Sequence, residues 1–175
     1  MELSAAPYFY AVATVSITFT GFSTLFTIFR QMLGGRLSRY EILLTRNFLQ
    51  FGFIVTIGSL LPSLLALFVA SANSAWRVSS MITIVPLGVY VVTYPSRRRA
   101  ATGGPMPTRA RVTVTLLYLA IGVLLVNVVA VPVQSGVAFH ALGVTIVLFA
   151  SFLGFLAGLD LLLVEPALPL DERSE

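Results

Sequence analysis

The stretch VTVTLLYLAIGVLLVNVVAVPVQSGVAFHALGVTIVLFASFLGFLAGL, residues 112–159, decides the fold of this chain. None of its 48 residues is Asp, Glu, Lys or Arg. A transmembrane helix needs about 20 mostly apolar residues, so the stretch is long enough for two crossings. Residues that favour turns interrupt it near the middle, namely Pro132, Gln134, Ser135 and Gly136. The pattern therefore predicts two membrane-spanning helices joined by a short turn.

Three further charge-free stretches, residues 3–29, 47–76 and 78–96, are each long enough for one crossing. We therefore expect an all-α fold, a polytopic transmembrane bundle of five helices in one domain covering residues 1–175. Ser38 and Glu41 fit a capping box, which predicts that the second helix begins at Arg39 and continues to Ala70. The predicted spans are roughly 5–29, 46–70, 76–94, 112–132 and 138–163.

The composition agrees with a lipid environment. Hydrophobic residues make up 57% of the chain and charged residues 10%, against about 25% charged residues in soluble domains. The chain has no cysteine, which excludes disulfides, thiolate catalysis, iron–sulfur clusters and zinc thiolate sites. It also has no lysine, because all eleven basic residues are arginines, so a Schiff base has no side-chain amine on which to form.

The arginines predict the orientation of the chain. With five spans, ten of the eleven lie on one side, in or beside the loops 30–45 and 95–111 and the tail 164–175. Only Arg77 lies on the other side. Because cytoplasmic loops collect arginine, we expect the N-terminus outside and the C-terminus in the cytoplasm of a bacterial inner (plasma) membrane. The same clustering explains the pI of about 10.0, so the expected partner is the lipid bilayer and not nucleic acid.

A stripe of hydroxyl side chains follows one face of the first helix. At 100° per residue the stripe contains Ser16, Thr20, Ser23, Thr24 and Thr27. One interpretation is that the stripe lines the pore of a channel, where hydroxyls replace part of an ion's hydration shell. It is also typical of a packed helix interface, where small hydroxyl residues bond to the preceding turn. Asn127, in the fourth helix, has the same two interpretations.

The fifth helix carries two further candidate features. Ala150, Gly154 and Gly158 follow one another at four-residue spacing, which allows a second helix to approach closely. That helix belongs either to the same chain or to another copy, and we expect a homo-oligomer. Asp160 lies one turn from the predicted cytoplasmic end, where we expect an ion pair with one of three arginines: Arg30, Arg46 or Arg111.

No catalytic, cofactor or metal site is expected from the sequence. His140 is the only histidine, and we expect it near the outer surface, whereas Asp160 lies at the cytoplasmic side, so a Ser–His–Asp set is excluded. A bis-histidine haem would need a second histidine from another subunit. Pro62 and Pro86 each free a backbone carbonyl of the preceding turn, as in an ordinary helix kink or a transport site.

Two functions fit these features, and neither is enzymatic. The chain is either a self-associating channel for ions or small solutes, or a non-catalytic scaffold or accessory subunit bound to a membrane-protein partner. A channel requires that four hydroxyl residues of the stripe are accessible to water: Ser16, Thr20, Ser23 and Thr27. A subunit requires that another helix shields them.

Overall fold

The fold consists of long helices, and the part of the chain that the structure describes contains no strand. A computed structural model describes residues 5–32, 39–69, 71–104, 106–129 and 136–163, without the side chains of residues 26, 30 and 157–163. The helices are α1 (Ala6–Met32), α2 (Arg39–Leu65), α3 (Ala72–Thr102), α4 (Thr108–Val129) and α5 (Gly136–Leu163). All five are long and apolar enough to cross a membrane, which confirms the predicted all-α transmembrane bundle.

Helices that follow one another along the chain run antiparallel. Along α1 and α2, for example, Ser16 meets Gly52 while Thr27 meets Thr45. α5 packs against α4 and also against α2 and α3, whereas α1 packs mainly against α2. We use the name "basic end" for the end of the bundle where α2 and α4 begin and α3 finishes. Its described arginines are Arg39, Arg46, Arg97, Arg98, Arg99, Arg109 and Arg111.

α3, with 31 residues, is the longest of the five helices. At 1.5 Å per residue, α3 is about 46 Å long, compared with a hydrocarbon core of about 30 Å. α2 begins at Arg39, as predicted, but it ends at Leu65 and not at Ala70. Two tight turns end it, because the amides of Leu67 and Phe68 bond to carbonyls three residues back. Ser38, the predicted cap, lies outside the described residues.

Both ends of α3 have caps that explain its length. At the start, the Ser71 hydroxyl accepts a hydrogen bond from the Ser74 amide at 3.2 Å. At the finish, Gly103 adopts a left-handed conformation, with φ of 63°, and its amide donates to the Arg99 carbonyl. Pro86 and Pro95 lie inside the helix without ending it. The helix therefore carries the arginines 97–99, which the charge pattern assigned to a loop, as part of its last turns.

The core lies between α2, α3, α4 and α5. Its fully enclosed side chains include Val55, Leu87, Leu117, Leu124 and Val147. Inside a membrane such helices are held together by close packing, since lipid is as apolar as the side chains themselves. Gly143 illustrates this, because a Cβ at that position would lie 2.6 Å from the Leu124 side chain.

Candidate functional site

The hydroxyl stripe of α1 faces α2 within the same chain. The Ser16 hydroxyl is buried and donates to the Gly52 carbonyl at 3.1 Å. The other four hydroxyls donate to the carbonyl four residues earlier, at 2.8–3.0 Å: those of Thr20, Ser23, Thr24 and Thr27. Thr27 also lies 3.4 Å from the Thr45 hydroxyl of α2. In the single chain, Ser16, Thr20 and Thr27 of the stripe therefore contact α2.

Gly52 is the point of closest approach between these two helices. A Cβ at position 52 would lie 2.9 Å from the Thr20 Cβ and closer still to the Thr20 hydroxyl oxygen. Only glycine fits this contact unless a helix moves. The polar stripe and the glycine thus form one complementary surface inside the chain.

The small residues of α5 also face inwards where the structure describes them. Ala150 is wholly buried in the core, and Gly154 lies against Phe48 of α2. The side-chain surroundings of Gly158 lie outside the described part. A contact with another copy through this motif would have to compete with the packing already made by Ala150 and Gly154.

The side chains of Asp160 and Arg30 lie outside the described part of the chain. Of the other two possible partners of Asp160, Arg46 and Arg111 are both exposed to the surroundings of the bundle. The Arg111 side chain donates from Nε to the Met106 carbonyl at 3.0 Å. The pairing of Asp160 therefore stays a prediction.

Contrary to expectation, His140 is wholly buried. α5 begins at Gly136, which lies close to the side chains of Asn73 and Asn127. A Cβ at position 136 would lie 2.7 Å from Asn73 Oδ1 and 3.3 Å from Asn127 Oδ1. This early start places His140 one turn inside the bundle, against Phe9 and other rings, and away from the surface.

The histidine belongs to a chain of hydrogen bonds that joins four helices. His140 Nε2 lies 2.9 Å from the Gly58 carbonyl, which can only accept, so Nε2 carries the proton. Nδ1 is then the acceptor for the Ser80 hydroxyl, at 2.9 Å. Asn127 donates from Nδ2 to the Ser80 oxygen at 2.8 Å and lies 3.4 Å from the Trp76 carbonyl.

Pro62 explains why the Gly58 carbonyl needs this partner. In an uninterrupted helix the carbonyl of residue 58 would accept from the amide of residue 62, but proline has no N–H. The imidazole supplies the missing donor from α5. The network therefore satisfies a backbone group that the sequence leaves open, and every donor in it has an acceptor. We interpret it as structural.

A cavity of about 510 Å³ lies at the basic end, and we call it the basic-end cavity. It lies between α2, α3, α4 and α5, and its volume is within the range of small-molecule sites. Its walls are largely apolar or aromatic, with Leu44, Phe48, Phe51, Tyr90, Tyr94 and Ala110 among them. Phe51 and Tyr90 pack at 4.5 Å between ring centres, and Tyr90 stacks on Tyr94.

Arg98 is the buried charged group of this cavity. Its side chain is only 7% exposed, and its Nε and Nη1 atoms have no hydrogen-bond partner. The guanidinium lies 5.8 Å from the centre of the Tyr40 ring, a weak attraction that positions it from the first turn of α2. A buried charge is costly unless an opposite charge and hydrogen bonds compensate it. Two donors of this guanidinium are therefore available to an anionic group.

Asn47 adds a second open polar atom to the cavity. It is 5% exposed, and its Oδ1 has no hydrogen-bond partner. Arg109 also lines the cavity from α4. Among the described lining residues there is no carboxylate and no imidazole. The site thus combines two arginines, an amide and largely apolar or aromatic walls, a combination that is typical of ligand-binding sites.

The spacing of four residues along α3 indicates this site, although the hydropathy of the sequence does not. Tyr90, Tyr94, Arg98 and Thr102 are four residues apart, which places them on one face of a continuous helix. That spacing becomes informative only when α3 is known to continue through residues 97–99. No three His, Asp or Glu side chains within the described ranges group closely enough to hold a metal ion.

Comparisons with protein-family models, curated proteins and solved structures give no match for this chain. The function must therefore be inferred from the site alone.

Proposed function

We propose that the chain is a non-catalytic membrane protein that binds an amphiphilic anion in the basic-end cavity, as a binding or accessory subunit. The observation that supports this most strongly is the buried Arg98 guanidinium, with two nitrogen atoms unpartnered beside a cavity of about 510 Å³. An anionic group at Arg98 would satisfy both donors and offset the cost of burying the charge.

The rest of the cavity defines the remainder of the ligand. The Asn47 Oδ1 atom requires a donor, such as a hydroxyl or an N–H group. The aromatic wall of Phe51, Tyr90 and Tyr94 favours an apolar or planar body. The ligand we propose is therefore a small molecule with one carboxylate or phosphate, one hydrogen-bond donor and an apolar part.

We also propose that the basic end faces the cytoplasm of a bacterial inner membrane, with the N-terminus outside. The distribution of ten arginines against one supports this orientation. The ligand would then enter from the cytoplasm or from the cytoplasmic leaflet, because the cavity lies at that end. A binding role is favoured over catalysis because the described lining contains no carboxylate and no histidine, which are the usual general bases.

The self-associating channel expected from the sequence is the weaker candidate. The hydroxyl stripe and the described part of the small-residue motif both make contacts within the chain. A channel formed by several copies would need a different polar lining. It stays a prediction, as does the homo-oligomer itself.

The direct test is to identify what the protein retains when it is extracted gently from its own membrane. We expect native mass spectrometry of the wild type to show an anionic small molecule in addition to bound lipid. Arg98→Gln should lose it, because the amide cannot replace the charge. Arg99→Gln is the matched control, since Arg99 is exposed and its replacement removes the same charge one residue away. Equal retention by both variants would overturn the proposed function.

A further inference from the structure

A second cavity, of about 430 Å³, lies between α2 and α3. Its α2 wall includes Phe53, Ile57 and Leu61, and its α3 wall includes Val85 and Val89. We call it the α2/α3 groove. These side chains are open to the surroundings, with Phe53 62% and Val85 63% exposed. The groove is therefore separate from the enclosed core, although Tyr90 lines both it and the basic-end cavity.

Polar atoms without partners lie at only one end of this groove. Arg97 and Gln50 line it near the basic end, and the buried Arg97 Nη1 and Gln50 Oε1 atoms have no hydrogen-bond partner. The remainder of the described lining is apolar apart from Thr83 and Tyr90. The groove thus has a cationic mouth and an apolar body, which matches the division of a phospholipid into headgroup and chain.

The length of the groove fits one membrane leaflet. From Gln50 to Leu61, α2 rises about 17 Å, and from Ile82 to Arg97, α3 rises about 22 Å. Half of the hydrocarbon core is about 15 Å thick. An acyl chain that begins at the headgroup level beside Arg97 can therefore follow the groove to the bilayer midplane.

We propose that the α2/α3 groove binds one anionic phospholipid with a polyol headgroup, of the phosphatidylglycerol type. Arg97 donates to the phosphate, and Gln50 Oε1 accepts from a headgroup hydroxyl. One acyl chain lies against Phe53, Ile57 and Val89. Basic pockets between transmembrane helices bind anionic headgroups by this combination of charge and shape. This inference does not depend on the ligand of the basic-end cavity.

The test is a lipid titration of the full chain, stripped of lipid in a neutral detergent and followed by native mass spectrometry. Phosphatidylglycerol and phosphatidylcholine with identical acyl chains are compared. We expect the first phosphatidylglycerol to bind about fivefold more tightly, as one arginine near the surface predicts. Arg97→Gln should reduce this preference to none, whereas Arg99→Gln, which removes an exposed charge that lines neither cavity, should retain it.

Two further measurements keep the proposal falsifiable. Ile57→Trp fills the groove without changing the charge and should weaken binding of both lipids, with circular dichroism confirming that the variant is folded. Inorganic phosphate at millimolar concentration should not displace the lipid. Equal binding of the two lipids by the wild type, or full displacement by phosphate, would overturn the proposal. A dimer that excludes lipid would also overturn it and would assign the groove to contact between copies.

Discussion

Replacing His140 by Phe should destabilise the bundle, and most of that cost should disappear when Pro62 is replaced by Ala. The imidazole is the donor that we assign to the Gly58 carbonyl, at 2.9 Å, because Pro62 removes the helical donor. Phenylalanine fills a similar space but leaves the carbonyl without a partner. Alanine at position 62 returns the backbone N–H, so the carbonyl no longer needs the histidine.

The size of the effect follows from the burial of the network. Leaving a buried acceptor unsatisfied costs about 1–3 kcal/mol, and interhelical hydrogen bonds in membranes are worth up to about 1.7 kcal/mol. The Ser80 hydroxyl can rotate towards another acceptor, whereas the Gly58 carbonyl is fixed in the backbone. We therefore expect a coupling free energy of about 1.5 kcal/mol between positions 62 and 140.

The assay is a double-mutant cycle of unfolding free energies in mixed micelles, for the wild type, the two single variants and the double variant. Pro86→Ala serves as the matched control, because Pro86 frees a different carbonyl, that of Ile82. Its cycle with His140→Phe should be additive within about 0.5 kcal/mol. If His140→Phe costs the same in the wild type as in the Pro62→Ala variant, the structural role that we assign to the histidine is wrong.

Three further predictions concern packing, charge and orientation. Gly52→Ala should destabilise the protein by about 1–3 kcal/mol through its collision with Thr20, whereas Gly88→Ala, whose Cβ meets no atom within 4 Å, should not; chemical unfolding of both compares them. Arg98→Met should raise the stability of the ligand-free chain by about 1 kcal/mol, because it removes two nitrogen atoms that have no hydrogen-bond partner. Thermal unfolding in micelles measures this, and a variant less stable than the wild type would contradict it. A reporter that fluoresces only in the cytoplasm should be bright at the C-terminus and dark at the N-terminus, and the reverse would refute the orientation.

The number and type of the helices could be predicted from the sequence, because a charge-free stretch of about 20 residues is long enough to cross the membrane and too apolar to face water. The rotation of each helix about its own axis, which decides the face that packs inwards, could not be predicted from the sequence. In lipid, the packed face and the exposed face of a helix are both apolar, so hydropathy does not distinguish them. The stripe of Ser16 and Thr20 is compatible with a pore and with an interface until Gly52 is seen beside it.

The candidate site could not be predicted for a related reason. The arginines 97–99 predict a loop, because charged residues lower the hydropathy below that of a membrane-spanning segment. In the structure, however, α3 continues to Thr102. The continuation places Arg98 one turn beyond Tyr94 on the same helix face, inside the bundle. The predicted position of His140 was wrong because a polar residue near a helix start suggests exposure. The carbonyl freed by Pro62 was the available signal that a buried donor was needed.

We propose that Arg98 binds an anionic group in the basic-end cavity. A crystal structure of the full chain, grown in a lipidic mesophase from protein never exposed to harsh detergent, tests it most directly. We expect continuous density within hydrogen-bond distance of Arg98 Nε and Nη1, extending between Phe51 and Tyr90. A closed cavity, with both nitrogen atoms paired to groups of the chain itself, would contradict it.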